Sequence, residues 1–153
     1  MLKKILLGFA LLFVAIQFIR PEKNLSSAPP GKDDFIVRLA PPPEISQLLR
    51  TACYDCHSDN TRYPWYAEIQ PAAWWLKSHI DDGNREFSFS GFGSYSAKKQ
   101  AKKLAVVIDV VSDRTMPLKS YTWIHRDAIF TDAQLKTLTT WLEAAQDKLA
   151  DEK

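Results

Sequence analysis

The chain has 153 residues, 46% of them apolar, which suffices for one ordinary domain with a real core plus an appendage. Its 20 basic and 18 acidic residues are interspersed and leave a formal charge of +2, a balance that excludes the basic footprint of a nucleic-acid binder. Aromatic residues reach 12% and include five tryptophans, so the chain carries large flat side chains that either pair in a core or cover a flat surface.

Residues 1–20 open with Met-Leu-Lys-Lys, continue as an apolar run from Ile5 to Ile19, and end at Arg20-Pro21. Lys3 and Lys4 form the positive start of an export signal. A cleaved signal has small residues at its cut site, whereas Ile16-Gln17-Phe18-Ile19-Arg20 is bulky there. The run therefore reads as an uncleaved signal-anchor or transmembrane helix, although it is short for a span at about 1.5 Å per residue. Lys3 and Lys4 then stay inside the cell and the rest of the chain lies outside.

Residues 21–43 hold Pro21, Ser26, Ser27, Pro29, Pro30, Gly31 and Pro41-Pro42-Pro43, the composition of a partly extended tether that holds a domain off the bilayer. Phe35, Ile36, Val37 and Leu39 interrupt it and are expected to dock as an extended, strand-like strap. The domain spans 44–150. Glu44 to Ala52 reads as a short helix with Ile45, Leu48 and Leu49 on one face, running directly into Cys53.

Cys53-Tyr54-Asp55-Cys56-His57 is a C-x-x-C-H pattern, the attachment pattern of c-type haem. Two thiols at that spacing reach the two vinyl groups of one haem, and the adjoining histidine is held under the iron as the proximal ligand. A redox disulfide wants a βαβ context that is absent from the pattern. A zinc site wants ligands in two spaced pairs, and His79 and His125 are lone histidines.

Ser58 to Pro64 is turn-rich, and Trp65 to Ile69 is expected to form one helical turn. Pro71 opens a helix that reaches about Asp81 and stops at Asp82-Gly83-Asn84, with His79 facing solvent. Residues 86–94 alternate aromatic with small polar residues and read as a loop against the core or a cofactor edge. A long helix follows Tyr95, with Ala101, Leu104, Ala105, Ile108 and Val111 at helical spacing. Lys98, Lys99, Lys102 and Lys103 on its first turns form either a solvated face or a docking patch for an acidic redox partner. A loop carries Met116-Pro117 and His125. Thr131-Asp-Ala-Gln134 is a capping box that starts the last helix, with Leu135, Leu138, Trp141, Leu142 and Ala145 as its stripe. The tail from Asp147 to Lys153 is expected to fray.

A helix entering C-x-x-C-H, a late Met-Pro and a final amphipathic helix together resemble a class I cytochrome c. That resemblance implies that the first and last helices cross and that a loop methionine binds the iron opposite the histidine. The chain is also similar to the bacterial haem-binding-domain family of small, anchored c-type cytochromes. The residues that carry this likeness are Cys53 to Ser58, Asn60-Thr61, Tyr63-Pro64-Trp65-Tyr66, Pro71, Trp74-Trp75, His79, Phe89-Ser90, Met116-Pro117, Tyr121, His125 and Trp141. That family tends to carry a tryptophan shortly after the Phe-Ser pair, where this chain has Gly91-Phe92.

The expected fold is all-α and cytochrome c-like, behind one N-terminal membrane helix. The expected cofactor is one covalently attached haem c, held by Cys53, Cys56 and His57, with Met116 as the sixth ligand and His125, then His79, as its competitors. The expected role is single-electron transfer with redox partner proteins on the periplasmic side of a bacterial cytoplasmic membrane. The rival role is a haem enzyme or sensor for peroxide or a diatomic gas, with an open or displaceable sixth position.

Overall fold

The computed structural model describes residues 1–152. Among them are eight α-helices and no strand: α1 Leu2–Ile16, α2 Phe35–Leu39, α3 Pro43–Ala52, α4 Tyr54–His57, α5 Ala72–Glu86, α6 Ala97–Ser112, α7 Lys119–Thr122 and α8 Asp132–Asp151. The main packing is α6 along α8. Ala101, Leu104 and Val111 on the first helix and Leu138, Leu142, Ala145 and Leu149 on the second are buried in one core. The capping box forms: the Thr131 hydroxyl accepts from the Gln134 N–H, and the Gln134 side chain accepts from the Thr131 N–H. Helix α3 lays Ile45 and Leu49 into the same core and touches α8. Phe87, Phe89 and Phe92, from the loop after α5, fill the space between them.

Several expectations are corrected by packing. Helix α1 has 15 residues, about 22 Å at 1.5 Å each. A hydrocarbon core is about 30 Å thick. No helix among the described residues is long and apolar enough to cross a membrane, so the expected transmembrane helix is not supported at that length. The strap in the proline-rich stretch docks as expected, but it is helical rather than extended. Asp34 caps α2 by accepting from the N–H groups of Ile36 and Val37. Phe35 is fully buried, edge-on to Phe89 and Phe92 at ring separations of 5.0 and 4.8 Å. A capped turn satisfies its own backbone while one large ring enters the core, which an extended strap without a partner strand does not do.

Helix α5 does not stop at Asp82-Gly83-Asn84; it runs on to Glu86. Gly83 serves contact instead: a Cβ there would stand 2.5 Å from the carbonyl oxygen of Cys56. The C-terminal tail does not fray at Asp147 either. Helix α8 reaches Asp151, Leu149 is buried, and Arg38 pairs with Glu152.

Candidate functional site

The site is built where α3 gives way to α4. Cys53 ends the first helix with its N–H on the Leu49 carbonyl at 2.9 Å, and its own carbonyl accepts from the N–H groups of Cys56 and His57 at 3.2 and 3.0 Å. One tight turn therefore holds both cysteines and the histidine. Both thiols are free. Burial, with the neighbouring Cys56 second, pushes the Cys53 thiol up to about 12. Burial, with Asp55 second, pushes Cys56 up to about 11. Both sulfurs are therefore protonated in the folded, haem-free chain. Nothing supports the zinc alternative: no group of three or more His, Cys, Asp or Glu among the described residues could hold a metal ion.

His57 is gripped from both ends by the loop after α5. Its Nδ1 lies 2.9 Å from the Phe87 carbonyl, and its own carbonyl accepts from the Phe89 N–H at 2.7 Å. A carbonyl only accepts, so Nδ1 carries the proton and Nε2 is the bare, basic nitrogen. This is the outer hydrogen bond that metal-binding histidines use to fix tautomer and ring orientation.

Asp55 anchors the back of the turn. It is buried, and its carboxylate accepts from Arg62 Nε at 3.0 Å and from the Tyr121 hydroxyl at 2.8 Å. Its backbone carbonyl accepts from Thr61. Burial first, and the Asp55 carboxylate second, raise the Tyr121 phenol above its ordinary range. Tyr54 faces the other way: its hydroxyl donates to Asp34 at 3.1 Å and its ring stacks on Phe89.

In front of the turn lies a mostly apolar cleft of about 260 Å³. Cys56, His57, His79, Met116 and Tyr121 are among its walls. A larger cleft of about 540 Å³ lies behind α4, between residues 26–31 and Arg50, Asp55 and Arg62. It is more polar and reaches neither His57 nor Met116, so size alone points to the wrong side.

Met116 is brought to the cleft by the way α6 ends. Arg114 turns into the left-handed region at φ 54°, and the Met116 N–H returns to the Val110 carbonyl at 3.1 Å. That conformation costs a non-glycine residue about 1–2 kcal/mol. Arg114 is held in it by the Phe130 carbonyl and by Asp132. His125 is engaged elsewhere. Its Nε2 lies 3.0 Å from the Tyr66 hydroxyl, its ring stacks on Tyr121 at 4.2 Å, and it does not line the cleft. His79 does line it, half-exposed on the surface of α5. Its Nδ1 lies 2.9 Å from the Trp75 carbonyl, which leaves Nε2 as the bare nitrogen here too. Sequence reasoning also missed Asp55 and Gly83. The signal for Gly83 was a glycine inside a strong helical pattern, which marks close approach as readily as a stop.

A protein-family model described as a haem-binding domain matches residues 11–144. The chain belongs to the haem-binding domain family. No curated protein and no solved structure shows significant similarity to it. The residues of this haem-binding domain fit the group. The Cys56 thiol, an imidazole with its outer nitrogen already occupied and a thioether line one apolar cleft, while Cys53 lies one turn back against the core; the imidazole and thioether are donors suited to haem iron.

Proposed function

We propose that the chain is a membrane-associated c-type cytochrome that carries single electrons. The observation that carries this reading is the His57–Phe87 hydrogen bond. It leaves Nε2 bare on the turn that also bears Cys53 and Cys56, beside a cleft walled by Met116. In this reading Cys53 and Cys56 form the thioethers, His57 is the proximal ligand and Met116 the sixth. Haem, when bound, supplies an iron that alternates between the ferrous and ferric states. The chain does the rest. Phe87 fixes the tautomer and the ring plane of His57, and the apolar walls exclude water. Asp55, through Arg62 and Tyr121, keeps the attachment turn from shifting when charge changes in front of it. Lys98, Lys99 and Lys102 are exposed on α6 and suit an acidic redox partner. The export-type start and the apolar α1 support an anchor in a bacterial cytoplasmic membrane with the haem domain in the periplasm.

A second reading rests on His79, whose bare Nε2 faces the same cleft. It makes His79 either the sixth ligand or a polar group beside an open position, as an enzyme or gas sensor needs. Acid-acetone extraction and optical spectra with and without carbon monoxide separate the readings. The colour is expected to stay on the polypeptide. Met116→Ala is expected to remove the sulfur-to-iron band, lower the potential and admit carbon monoxide, with His79→Ala and His125→Ala doing none of these. Extraction of all the haem would sink covalent attachment, and carbon monoxide binding by the unmutated protein would favour the second reading.

A further inference from the structure

Every side chain from Leu2 to Ala15 is exposed, and nearly all are apolar. The stretch after α1 is not a free linker. The Gln17 side chain brackets the Gln70 backbone, accepting from its N–H at 2.8 Å and donating to its carbonyl at 3.2 Å. The Ile19 carbonyl accepts from Gln70 Nε2 at 3.0 Å and from Trp74 Nε1 at 2.9 Å. Arg20 and Lys23 both pair with Glu68. Four residues of the 17–23 stretch are thus fastened onto the segment that opens α5. A surface that takes the end of α1 therefore comes close to that segment.

The side chains at this junction have the chemistry of a membrane boundary. Phe18 is 83% exposed, Trp65 73%, Trp75 47% and Ile69 39%, and each lies within three residues of a clamped position. Indole rings concentrate at the headgroup level, where an apolar body and a polar edge are both satisfied. Arg20 and Lys23 converge on Glu68 and place two cations at the junction, where lipid phosphates would meet them.

We propose that Trp65, Ile69 and Trp75, continuous with the end of α1, form a seat that rests on an anionic phospholipid surface, so that the haem domain lies on the membrane instead of hanging from a tether. This rests on the membrane reading of α1. The short helix then need not span alone, because the face beside it takes part of the lipid contact.

The test uses the full-length, haem-loaded protein in vesicles of phosphatidylcholine and phosphatidylglycerol carrying a photoreactive acyl chain. Adducts are mapped by peptide mass. Adducts are expected within 65–75 as well as on α1. Trp65→Ser combined with Trp75→Ser is expected to cut the 65–75 yield several-fold and leave α1 labelled. Adducts confined to α1, or protein–protein cross-links joining 65–75 of two copies, would overturn the seat while leaving the anchor standing. Failure of the protein to sediment with the vesicles would overturn the anchor and the seat together.

Discussion

Asp55 sits between the two cysteines, a place where the attachment pattern accepts any residue. Here the carboxylate is buried; Arg62 reaches both of its oxygens, and the Tyr121 hydroxyl donates to one of them. Asn at this position keeps the shape, loses the charge and offers one acceptor where there were two. Arg62 is 63% exposed, so its ion pair adds little; the bond to Tyr121 and the backbone N–H of Arg62 matter more. Asp55→Asn is therefore expected to cost about 1–3 kcal/mol in a urea titration of the haem-free chain. The exposed Asp59, changed to Asn, is expected to stay within about 0.5 kcal/mol. Equal effects at the two positions would remove Asp55 from the role given to it.

At the scale of elements, the decisive contact is α5 against the attachment turn. Gly83 lets the helix backbone approach Cys56 closely. In an isolated helix, Gly→Ala gains about 1 kcal/mol. Here the added carbon meets a backbone carbonyl, which cannot rotate away as a side chain would. The expected net effect of Gly83→Ala is a loss of about 1–3 kcal/mol. Because the displaced group belongs to Cys56, haem stain per mole of protein is expected to fall as well. Unchanged stain with raised stability would mean that α5 can shift freely. The strap makes a second element-scale claim. Phe35 is fully buried among Phe89, Phe92 and Trp141, so Phe35→Ala is expected to cost about 3–5 kcal/mol. A tether hanging free of the domain would give a change near zero in the same urea titration.

For the molecule as a whole, four acidic groups, Tyr54 buried and three partly buried, act in one direction. Cys53, Cys56, Tyr54 and Tyr121 all ionise at higher pH in the folded chain than in the unfolded one, chiefly through burial. Their contribution to stability is complete below the unfolded thiol range, near pH 9. Above it the unfolded state sheds protons first, so stability falls as pH rises toward about 11 to 12. Urea midpoints of the haem-free chain are expected to be flat from about pH 7 to about pH 9 and to fall above that. Cys53→Ala with Cys56→Ala, which removes the two thiols, is expected to shift the onset upward toward the tyrosine range. A midpoint that rises with pH in this window would contradict the burial of these groups.

Local chemistry made part of this molecule readable in one dimension. The attachment turn needs two thiols and an imidazole at fixed spacing, so Cys53, Cys56 and His57 declare themselves as a haem site. A helical stripe and a Thr-Gln capping pair need only their own segment, so α8 and its start were legible, as was the all-helical class. Long-range contacts were not. That the strap docks was legible; that it does so as a capped helix with Phe35 against Phe89 and Phe92, more than fifty residues away, was not. Whether Gly83 ends a helix or admits a neighbour depends on how close Cys56 comes. Which of Met116, His79 and His125 lines the cleft depends on how α6 ends and on what holds each ring. Tyr66 and Tyr121 draw His125 aside, while α5 turns His79 toward the same space as His57. Spacing carries information within a few turns of chain; the choice among distant side chains is made only when packing brings one of them to the site and occupies the others.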